Sequence, residues 1–410
     1  MRAARTDVDL AVVGGGITGM LCAALAARAG FSVAIVELSA APPPAPGAEY
    51  DLRTYALTRA SARILAAVDV WSRVSSRRVS PFRTMQVWDA GGAGRVHYDA
   101  ADLCESALGH IVEHAVLANA LEEALAAAPR VRWQRGTRVH AVQGEADSQC
   151  LTLDGGQITA RVVVGADGAR SPLRELLGLA VASKDYGQSA VVANVRTERA
   201  LAACARQRFL PEGPLAFLPL ADPHLCSVVW STARAEAERL TSCPDAMFVT
   251  ALAKAFGDCL GAILETSARL QFPLAHQHID RYVTNGAAFI GDAAHVIHPL
   301  AGQGLNLGIM DAAALVEVLS AAEARGEPLG ARRVLRRYER WRKGENLLME
   351  WTTDGLNKLF ASDSPWIKRL RNEGLLLADR MPPVKRWIMA RASGLSGDLP
   401  AAAKAPDIGV

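Results

Sequence analysis

The feature that most restricts the fold of this chain is a group of three glycines near its start. Gly14, Gly16 and Gly19 form a G-x-G-x-x-G motif between the apolar run DLAVV and the run ITGMLCAALAARAG. The first run is typical of a buried strand and the second of a helix, and SVAIVE predicts another buried strand after them. This order predicts a βαβ unit with a parallel sheet, which is an α/β, Rossmann-like fold.

An acidic residue completes the motif. Glu37 stands at the end of the second predicted strand, 23 residues after Gly14. The glycines permit a tight turn, close approach of a pyrophosphate to the helix N-terminus and close helix packing, while the carboxylate binds ribose hydroxyls. Together they predict an adenine dinucleotide, and Glu rather than Arg favours FAD or NAD over NADP.

Two aspartates favour FAD. Asp167, followed by Gly168, comes after the strand-like run ARVVVG, and Asp292 comes after the strand-like run AAFIG. A single aspartate at such a place is usually a turn former or a helix cap. Two of them, each beside a glycine at a strand end, indicate a long cofactor threaded over the sheet, with Asp292 available to a ribitol hydroxyl.

The run HPLAGQGLNLGIMD, residues 298–311, combines glycines, a proline and amides before a helix. Gly302 and Gly304 would let backbone N–H groups approach a flat ring, with the helix N-terminus aimed at it. Because such a terminus favours negative charge, it would stabilise an anionic reduced isoalloxazine by ~0.3–2 kcal/mol.

The length of 410 residues predicts two or three structural units at roughly 150 residues each. Strand-like runs dominate from about residue 178 to 280, which indicates a β-rich domain inserted into the dinucleotide-binding domain. The predicted units are an FAD-binding domain of residues 1–73, 98–177 and 281–345, a β-rich substrate domain of residues 74–97 and 178–280, and a C-terminal helical region of residues 346–410.

The cysteines and the uncharged runs exclude other classes of protein. The seven cysteines are scattered without a C-x-x-C motif, so no disulfide scaffold and no metal site are predicted, and a reducing cytoplasm fits best. Residues 10–27 and 293–310 are long enough for a membrane span, but a GGG run and a Pro- and amide-containing segment interrupt them. No spanning or export segment is expected.

The run from His298 to Asp311 closely resembles the signature of the ubiquinone-biosynthesis flavin hydroxylases. They are a branch of the class A aromatic monooxygenases, typified in fold by p-hydroxybenzoate hydroxylase. The likeness spans the chain through GGGITG, DLRTYALTRAS, GADGARSPLR, GPLAFLPL with VVWS, and the tail runs TDGLNKLF and GLSGDLP, which select the branch. It implies flavin contacts by Arg53, Asp167, Asp292, Pro299, Gly302, Gln303, Gly304 and Asn306.

The resemblance also implies a reaction. NAD(P)H reduces FAD, the reduced flavin adds O₂ to form a C4a-hydroperoxide, and the terminal oxygen passes to the ring of a polyprenylated phenol. No protein nucleophile is required, and no catalytic residue is assigned. His295 and His298 are interpreted as residues that satisfy backbone groups beside the flavin.

Several side chains keep two interpretations. Aromatic side chains on strands occur both in pockets and in cores. Two interpretations therefore apply to Phe209, Phe217 and Trp230, which either line the substrate pocket or belong to the core. Relatives often carry a basic or amide residue that contacts the cofactor from the helix HIVEHAVLANAL. Here His114 and Asn119 are the substitutes, and core or surface roles are the alternative.

The C-terminal end is basic. Between residues 331 and 391 there are fifteen Lys/Arg and seven Asp/Glu, a local charge of +8. One interpretation of this charge is a solvated helix surface. Since Trp366, Leu370 and Trp387 stand among these bases, and a polyprenylated phenol resides in the bilayer, we expect contact with a membrane surface.

The expected location is therefore cytoplasmic and peripheral, on the inner face of the membrane. Other ubiquinone-biosynthesis proteins are candidate partners, and no nucleic acid is expected. Two alternatives stay open: a hydroxylase of the same fold acting on a soluble aromatic compound, and a catalytically silent FAD-binding subunit of a ubiquinone-forming assembly.

Overall fold

The computed structural model describes residues 6–144, 147–297, 302–362 and 364–404. The strands in these ranges are β1 (Val8–Val13), β2 (Val33–Glu37), β3 (Thr54–Thr58), β4 (Val79–Phe82), β5 (Thr84–Asp89), β6 (Arg95–Asp99), β7 (Gly109–Glu113), β8 (Val131–Arg135), β9 (Val139–Gly144), β10 (Gln149–Leu153), β11 (Gly156–Gly165), β12 (Val181–Thr197), β13 (Cys204–Leu210), β14 (Gly213–Pro219), β15 (Leu225–Ala233), β16 (Ile263–Thr266), β17 (Leu270–Ile279), β18 (Ala287–Phe289) and β19 (His295–Val296).

The helices in the same ranges are α1 (Ile17–Arg28), α2 (Arg59–Ala66), α3 (Val70–Ser75), α4 (His114–Ala126), α5 (Pro172–Leu176), α6 (Arg234–Ser242), α7 (Asp245–Phe256), α8 (Gln303–Glu323), α9 (Arg332–Ala361), α10 (Pro365–Arg380) and α11 (Pro382–Ala392).

A seven-stranded sheet forms the centre of the dinucleotide-binding part, in the order β8-β2-β1-β11-β10-β9 with β18 against β11. β1 pairs in parallel with both β2 and β11, and β18 is parallel to β11. Leu10 and Val12 are fully buried, as expected for a parallel strand covered on both faces. The predicted α/β, Rossmann-like class is therefore confirmed.

A nine-stranded, mostly antiparallel sheet forms the second layer, in the order β19-β17-β12-β15-β14-β13-β5-β6 with β16 beside β12. One face of this sheet packs against α7, where Phe248 and Leu252 are buried together with Phe217 and Trp230. A smaller antiparallel sheet has the strand order β3-β7-β4. The β-rich insertion thus has a hydrophobic cluster of its own.

Several elements do not follow the predicted domain limits: α3 spans the limit after residue 73 and β6 the limit after residue 97. β4, within residues 74–97, pairs with β7 rather than with the nine-stranded sheet. β19, within residues 281–345, pairs with β17 of the nine-stranded sheet. α9 continues without a break across residue 345.

By length and composition, α8 is long and apolar enough to cross a membrane. However, 78% of its 18-residue apolar stretch is buried inside the protein. It packs between α1 and α9. Its hydrophobicity is therefore used in the core, and its N-terminus points to the same region as the N-terminus of α1.

Candidate active site

A cavity of about 1050 Å³ lies where the strands of the dinucleotide sheet end. Since β1, β2, β11 and β18 are parallel, the residues that follow them meet at one edge, which is the usual ligand site of an open α/β sheet. The predicted site residues that line this cavity are Gly14, Gly16, Glu37, Arg53, Asp167, Gly168, Asp292, Gly302, Gln303 and Gly304. Gly19 and Asn306 lie outside the lining, and Pro299 lies outside the described residues.

The three glycines of the first motif have different surroundings. A Cβ atom at Gly14 would lie 2.3 Å from the carbonyl oxygen of Ala166, and one at Gly19 would lie 2.0 Å from that of Gly14. These two glycines therefore permit close backbone packing. A Cβ at Gly16 would meet no atom within 4 Å, because this residue caps α1 at the open cavity. The helix N-terminus is free to receive a pyrophosphate.

Glu37 is held in place at the end of β2. Its Oε2 accepts a hydrogen bond from the backbone N–H of Gly15 at 2.5 Å, and its Oε1 accepts one from Ser39 at 2.8 Å. The carboxylate thus spans from the glycine turn to the cavity wall. A carboxylate has further acceptor positions beyond these two bonds, which is what ribose hydroxyl donors require.

The two predicted aspartates have different roles. Asp167 accepts hydrogen bonds from the Ser171 hydroxyl at 2.6 Å and from the Leu173 N–H at 3.0 Å, so its side chain also organises the start of α5. Burial raises the pKa of its carboxyl, and these hydrogen bonds oppose the change only in part.

The Asp292 side chain is open to the cavity. Surrounding protein nevertheless raises the pKa of its carboxyl, against the opposing effects of His295 and Arg53. Arg53 lines the same cavity, with its guanidinium carbon 5.6 Å from the centre of the Tyr55 ring. Of the two carboxyls, Asp292 is therefore the more available to a ligand, and it suits a hydroxyl group.

The N-terminus of α8 borders the cavity on another side. Gly302 caps the helix with φ of 63°, a left-handed conformation that favours glycine. A Cβ at Gly304 would meet no protein atom within 4 Å, so this part of the helix faces open space. The Gln303 side-chain amide donates to the carbonyl oxygen of Ala392 at 3.5 Å, which connects the helix start to α11.

Asn306 serves the protein rather than the cavity. Its Oδ1 accepts from the Thr58 N–H at 2.9 Å and the Ser61 hydroxyl at 2.7 Å, and its Nδ2 donates to Ala56 O at 2.8 Å. The side chain is 3% exposed. Asn306 therefore joins α8 to β3 and α2, and through them it positions the cavity wall.

A cluster of buried charged residues lies behind the cavity. No pattern in the sequence indicates that these residues come together. Asp311 accepts from the Arg342 Nε at 3.0 Å, the Asn346 Nδ2 at 3.1 Å and the Gly291 N–H at 3.2 Å. Its Oδ2 also lies 2.5 Å from His295 Nε2. Burial alone would raise the pKa of Asp311, but the His295 interaction, Arg342 and Asn346 together hold it below its usual range.

His114 reaches the cavity and Asn119 does not. The Nδ1 atom of His114 lies 3.0 Å from the Tyr55 hydroxyl, and both side chains line the cavity. Burial and then Arg53 lower the pKa of His114. Asn119 donates to the carbonyl oxygens of Pro44 and Ala115 instead.

The three strand aromatics are core residues, so the pocket interpretation of them is wrong. Phe217 and Trp230 are buried against α7, and the ring of Phe209 stacks on that of Phe360 at 3.7 Å. Because strand side chains alternate between faces, the neighbours in β14 and β15 point the other way. The residues of these two strands that line the cavity are Pro214, Ala216, Leu218, Val229 and Ser231.

Within the described residues, no group of three His, Cys, Asp or Glu side chains is arranged to hold a metal ion. The open backbone at Gly16 and Gly304, the acceptor at Glu37 and the exposed Asp292 fit FAD instead. The fold and the cavity thus define a flavoprotein with a dinucleotide sheet and a β-rich substrate layer.

Comparison with known proteins agrees with this class. Residues 7–345 match the FAD binding domain family. The chain is 37% identical to 3-demethoxyubiquinol 3-hydroxylase of Escherichia coli (strain K12), over 94% of this chain and 98% of that protein. It is 36% identical to ubiquinone hydroxylase UbiL of Rhodospirillum rubrum, over 94% and 89% of the two chains.

A solved structure shares the fold. The p-nitrophenol 4-monooxygenase of Pseudomonas putida superposes with a TM-score of 0.77 and 21% identity, covering 96% of this chain and 99% of that one. The chain therefore belongs to the FAD binding domain family, and within it to the FAD-dependent monooxygenases that include the ubiquinone hydroxylases.

Proposed function

We propose that this protein hydroxylates the aromatic ring of a polyprenylated phenol in ubiquinone biosynthesis, with FAD as its cofactor, O₂ as co-substrate and NAD(P)H as the reduced donor. The observation that carries the proposal is the similarity to two ubiquinone hydroxylases over nearly the whole of each chain. The similarity includes the β-rich layer, which forms the wall of the cavity facing the flavin region.

The residues present define where FAD would be held. Gly16 and the N-terminus of α1 would receive the pyrophosphate, Glu37 the adenosine ribose, and Asp292 the ribitol. The ring would lie beside Gly302 and Gly304, where the N-terminus of α8 favours negative charge. When bound, FAD supplies the transfer of electrons from the donor to O₂ and of one oxygen atom to the ring.

The β-rich layer supplies the space for the substrate ring. Small and apolar side chains line the cavity from β12, β14 and β15, including Ala190, Val192, Ala216 and Val229. Such a lining excludes water, which protects reactive intermediates from hydrolysis. Ser231 and Gln207 are polar groups in the same lining that are able to orient a phenol hydroxyl.

The proposal is tested with purified, FAD-loaded protein, NAD(P)H and ¹⁸O₂. A prenylated methoxyphenol or demethoxyubiquinol should gain one labelled oxygen, detected by mass spectrometry, while phenol without a prenyl tail should react much less. Equal or better turnover of small soluble phenols would favour the soluble-aromatic alternative. NAD(P)H oxidation that gives only hydrogen peroxide with every ring would favour a catalytically silent subunit.

We also propose that the protein works as a peripheral protein at the inner face of the membrane. The helices α9 to α11 expose large apolar side chains: Trp351 is 69% exposed, Trp366 79%, Leu370 68% and Trp387 67%. Exposed Arg369, Arg380 and Arg386 lie on the same helices. Apolar anchors among basic residues are typical of segments that lie on an anionic lipid surface.

Vesicle co-sedimentation tests this location. The protein should sediment with vesicles containing phosphatidylglycerol, and binding should weaken at high salt because surface charges are screened. A double variant in which both Trp366 and Trp387 are replaced by Ser should bind vesicles more weakly than the wild type. Replacing the exposed Met247 of α7 by Ser should leave vesicle binding unchanged. Equal sedimentation of all three proteins would contradict the proposal.

A further inference from the structure

The cavity lining is not confined to the residues proposed to hold FAD and the phenol ring. Its lining continues from the start of α8 to α11, where Ile388, Met389, Ala392 and Ser393 face it. The Gln303 amide bonds to Ala392 O at 3.5 Å, and the Ala60 N–H bonds to Ser393 O at 3.5 Å. These contacts place α11 directly beside the proposed position of the flavin ring.

The end of the cavity beneath α11 has an apolar lining. We call this end the tail chamber and define it by six uncharged residues, which are Phe82, Met85, Tyr98, Leu108, Ile388 and Met389. Met389 is 3% exposed and packs with Ala100 and Leu108. Charged residues also line the same cavity, among them Glu37, Arg53 and Asp292 of the proposed FAD region.

The outer side of the same wall is the apolar and basic surface described above. On α11, Met389 points inward while Trp387, two positions earlier, is 67% exposed. Lys385 pairs with Asp102 at 3.2 Å, which anchors the helix to the chain segment after β6. One short helix thus separates the chamber from a surface with the composition of a lipid-facing segment.

We propose that the tail chamber binds the first isoprene units of the substrate's polyprenyl tail, and that Met389 determines how well a long tail fits. The inference rests on the proposed function, because it takes the ring beside Gly304 as its starting point. An isoprenoid chain carries no charge and no hydrogen-bonding group, which suits a lining of six uncharged side chains in which Tyr98 alone has a hydroxyl. Its far end would leave beside α11, next to the surface that we propose lies on the bilayer.

Met389→Trp tests the chamber, with Met247→Trp as the matched control at an exposed position. Each protein is assayed with two substrates of identical ring, one with a single isoprene unit and one with a long isoprenoid chain. Because a pocket discriminates by shape, the ratio of KM for the long chain to KM for the short chain should rise roughly tenfold or more in Met389→Trp only. An unchanged ratio in a folded Met389→Trp protein would overturn the inference.

A second measurement does not depend on turnover or on the variant. An isoprenoid phenol that carries a benzophenone at the end of its first isoprene units is irradiated with the wild-type, FAD-loaded protein. The cross-link should fall on residues 382–392, on β4 to β6 or on Leu108, and should be displaced by the long-chain substrate. Labelling elsewhere would overturn the chamber. Failure of the wild-type protein to hydroxylate either substrate would contradict the proposed function instead, and the cross-link would still test the chamber.

Discussion

The His295 Nε2 atom lies 2.5 Å from the Asp311 Oδ2 atom, and both side chains are shielded from solvent. His295 stands in β19, three residues after Asp292, and Asp311 lies in α8, whose first residues line the cavity. The same Asp311 oxygen accepts from the Gly291 N–H. One carboxylate therefore holds the loop that carries Asp292 against the helix that borders the flavin region.

Asp311→Asn should destabilise the protein and weaken FAD binding. The variant keeps the shape of the side chain but leaves Arg342 buried without its counter-charge, which typically costs ~3–5 kcal/mol. The free energy of unfolding of the apo-protein in urea and the FAD dissociation constant are the measurements. Adding Arg342→Met should recover part of the loss, since neither buried charge then remains. Unfolding of Asp311→Asn at the wild-type urea concentration would show that the pair does not matter.

Gly304→Ala should separate stability from cofactor binding. The added methyl group meets no protein atom within 4 Å, and alanine is a better helix former than glycine by ~1 kcal/mol, so the apo-protein should gain stability. FAD affinity should fall, because the methyl group occupies space that the ring needs. Gly355→Ala in α9, which also has open space around it, should gain stability without loss of FAD. Thermal unfolding and flavin fluorescence measure the two effects.

His110 should make stability depend on pH. It is fully buried against Trp71, and neither ring nitrogen has a hydrogen-bond partner among the described residues. Burial, and then Arg59, lower the pKa of His110 to about 3 from 6.5. Between these values the unfolded chain binds a proton that the folded chain does not, so the free energy of unfolding falls as pH falls below 6.5.

Replacing His110 with Phe should remove this contribution. The slope of unfolding free energy against pH should become shallower, by about 0.7 kcal/mol per pH unit at pH 6.5 and by nearly 1.4 kcal/mol per pH unit at pH 5. Urea unfolding at several pH values measures the slope, and replacement of the exposed His97 by Phe controls for the loss of one imidazole. An unchanged slope in His110→Phe would show that His110 titrates equally in both states.

Arg371→Met should detach the C-terminal helices from the β-rich layer. Arg371 of α10 forms two hydrogen bonds to Asp89, at 2.7 and 3.1 Å, and donates to the carbonyl oxygens of Leu359, Phe360 and Ser362. Both charged side chains are almost fully buried, so removing one should cost ~3–5 kcal/mol.

The exposed Arg28–Asp69 pair, at 2.8 Å, provides the control for this change. Arg28→Met should cost less than ~1 kcal/mol, because solvent screens surface pairs. Limited proteolysis should cut the Arg371→Met protein first within residues 346–404. Equal costs for the two variants, measured by urea unfolding, would contradict a special role for the Arg371–Asp89 pair.

Some site residues were predictable because the structural requirement that each one meets is set by its neighbours in the sequence. Gly14, Gly16 and Gly19 stand at a strand-to-helix turn, and Glu37 follows at the end of the next strand, so a short stretch of sequence contains the whole geometric requirement. Asp292 was predictable for the same reason, since it follows a buried strand that is parallel to its neighbour.

Other assignments depended on partners far away in the chain. Asn306 stands within a recognisable motif, yet its side chain is used by Thr58 and Ser61, which lie almost 250 residues earlier. Two interpretations applied to Phe217 and Trp230 because alternate side chains of a strand point to opposite faces of the sheet. The sequence does not say which of the two faces borders the cavity. Only the packing of α7 on one face decided which set is buried.

The amino-acid pattern by itself determined the α/β class, the dinucleotide motif and the kind of cofactor, because hydrophobic period and turn glycines act over short distances along the chain. The tertiary structure alone decided which face of the β-rich sheet borders the cavity, how Asp311, His295 and Arg342 come together, and that α11 closes one end of the site. These features arise from contacts between segments separated by tens to hundreds of residues, and nothing in a local pattern specifies which distant segment will supply the partner.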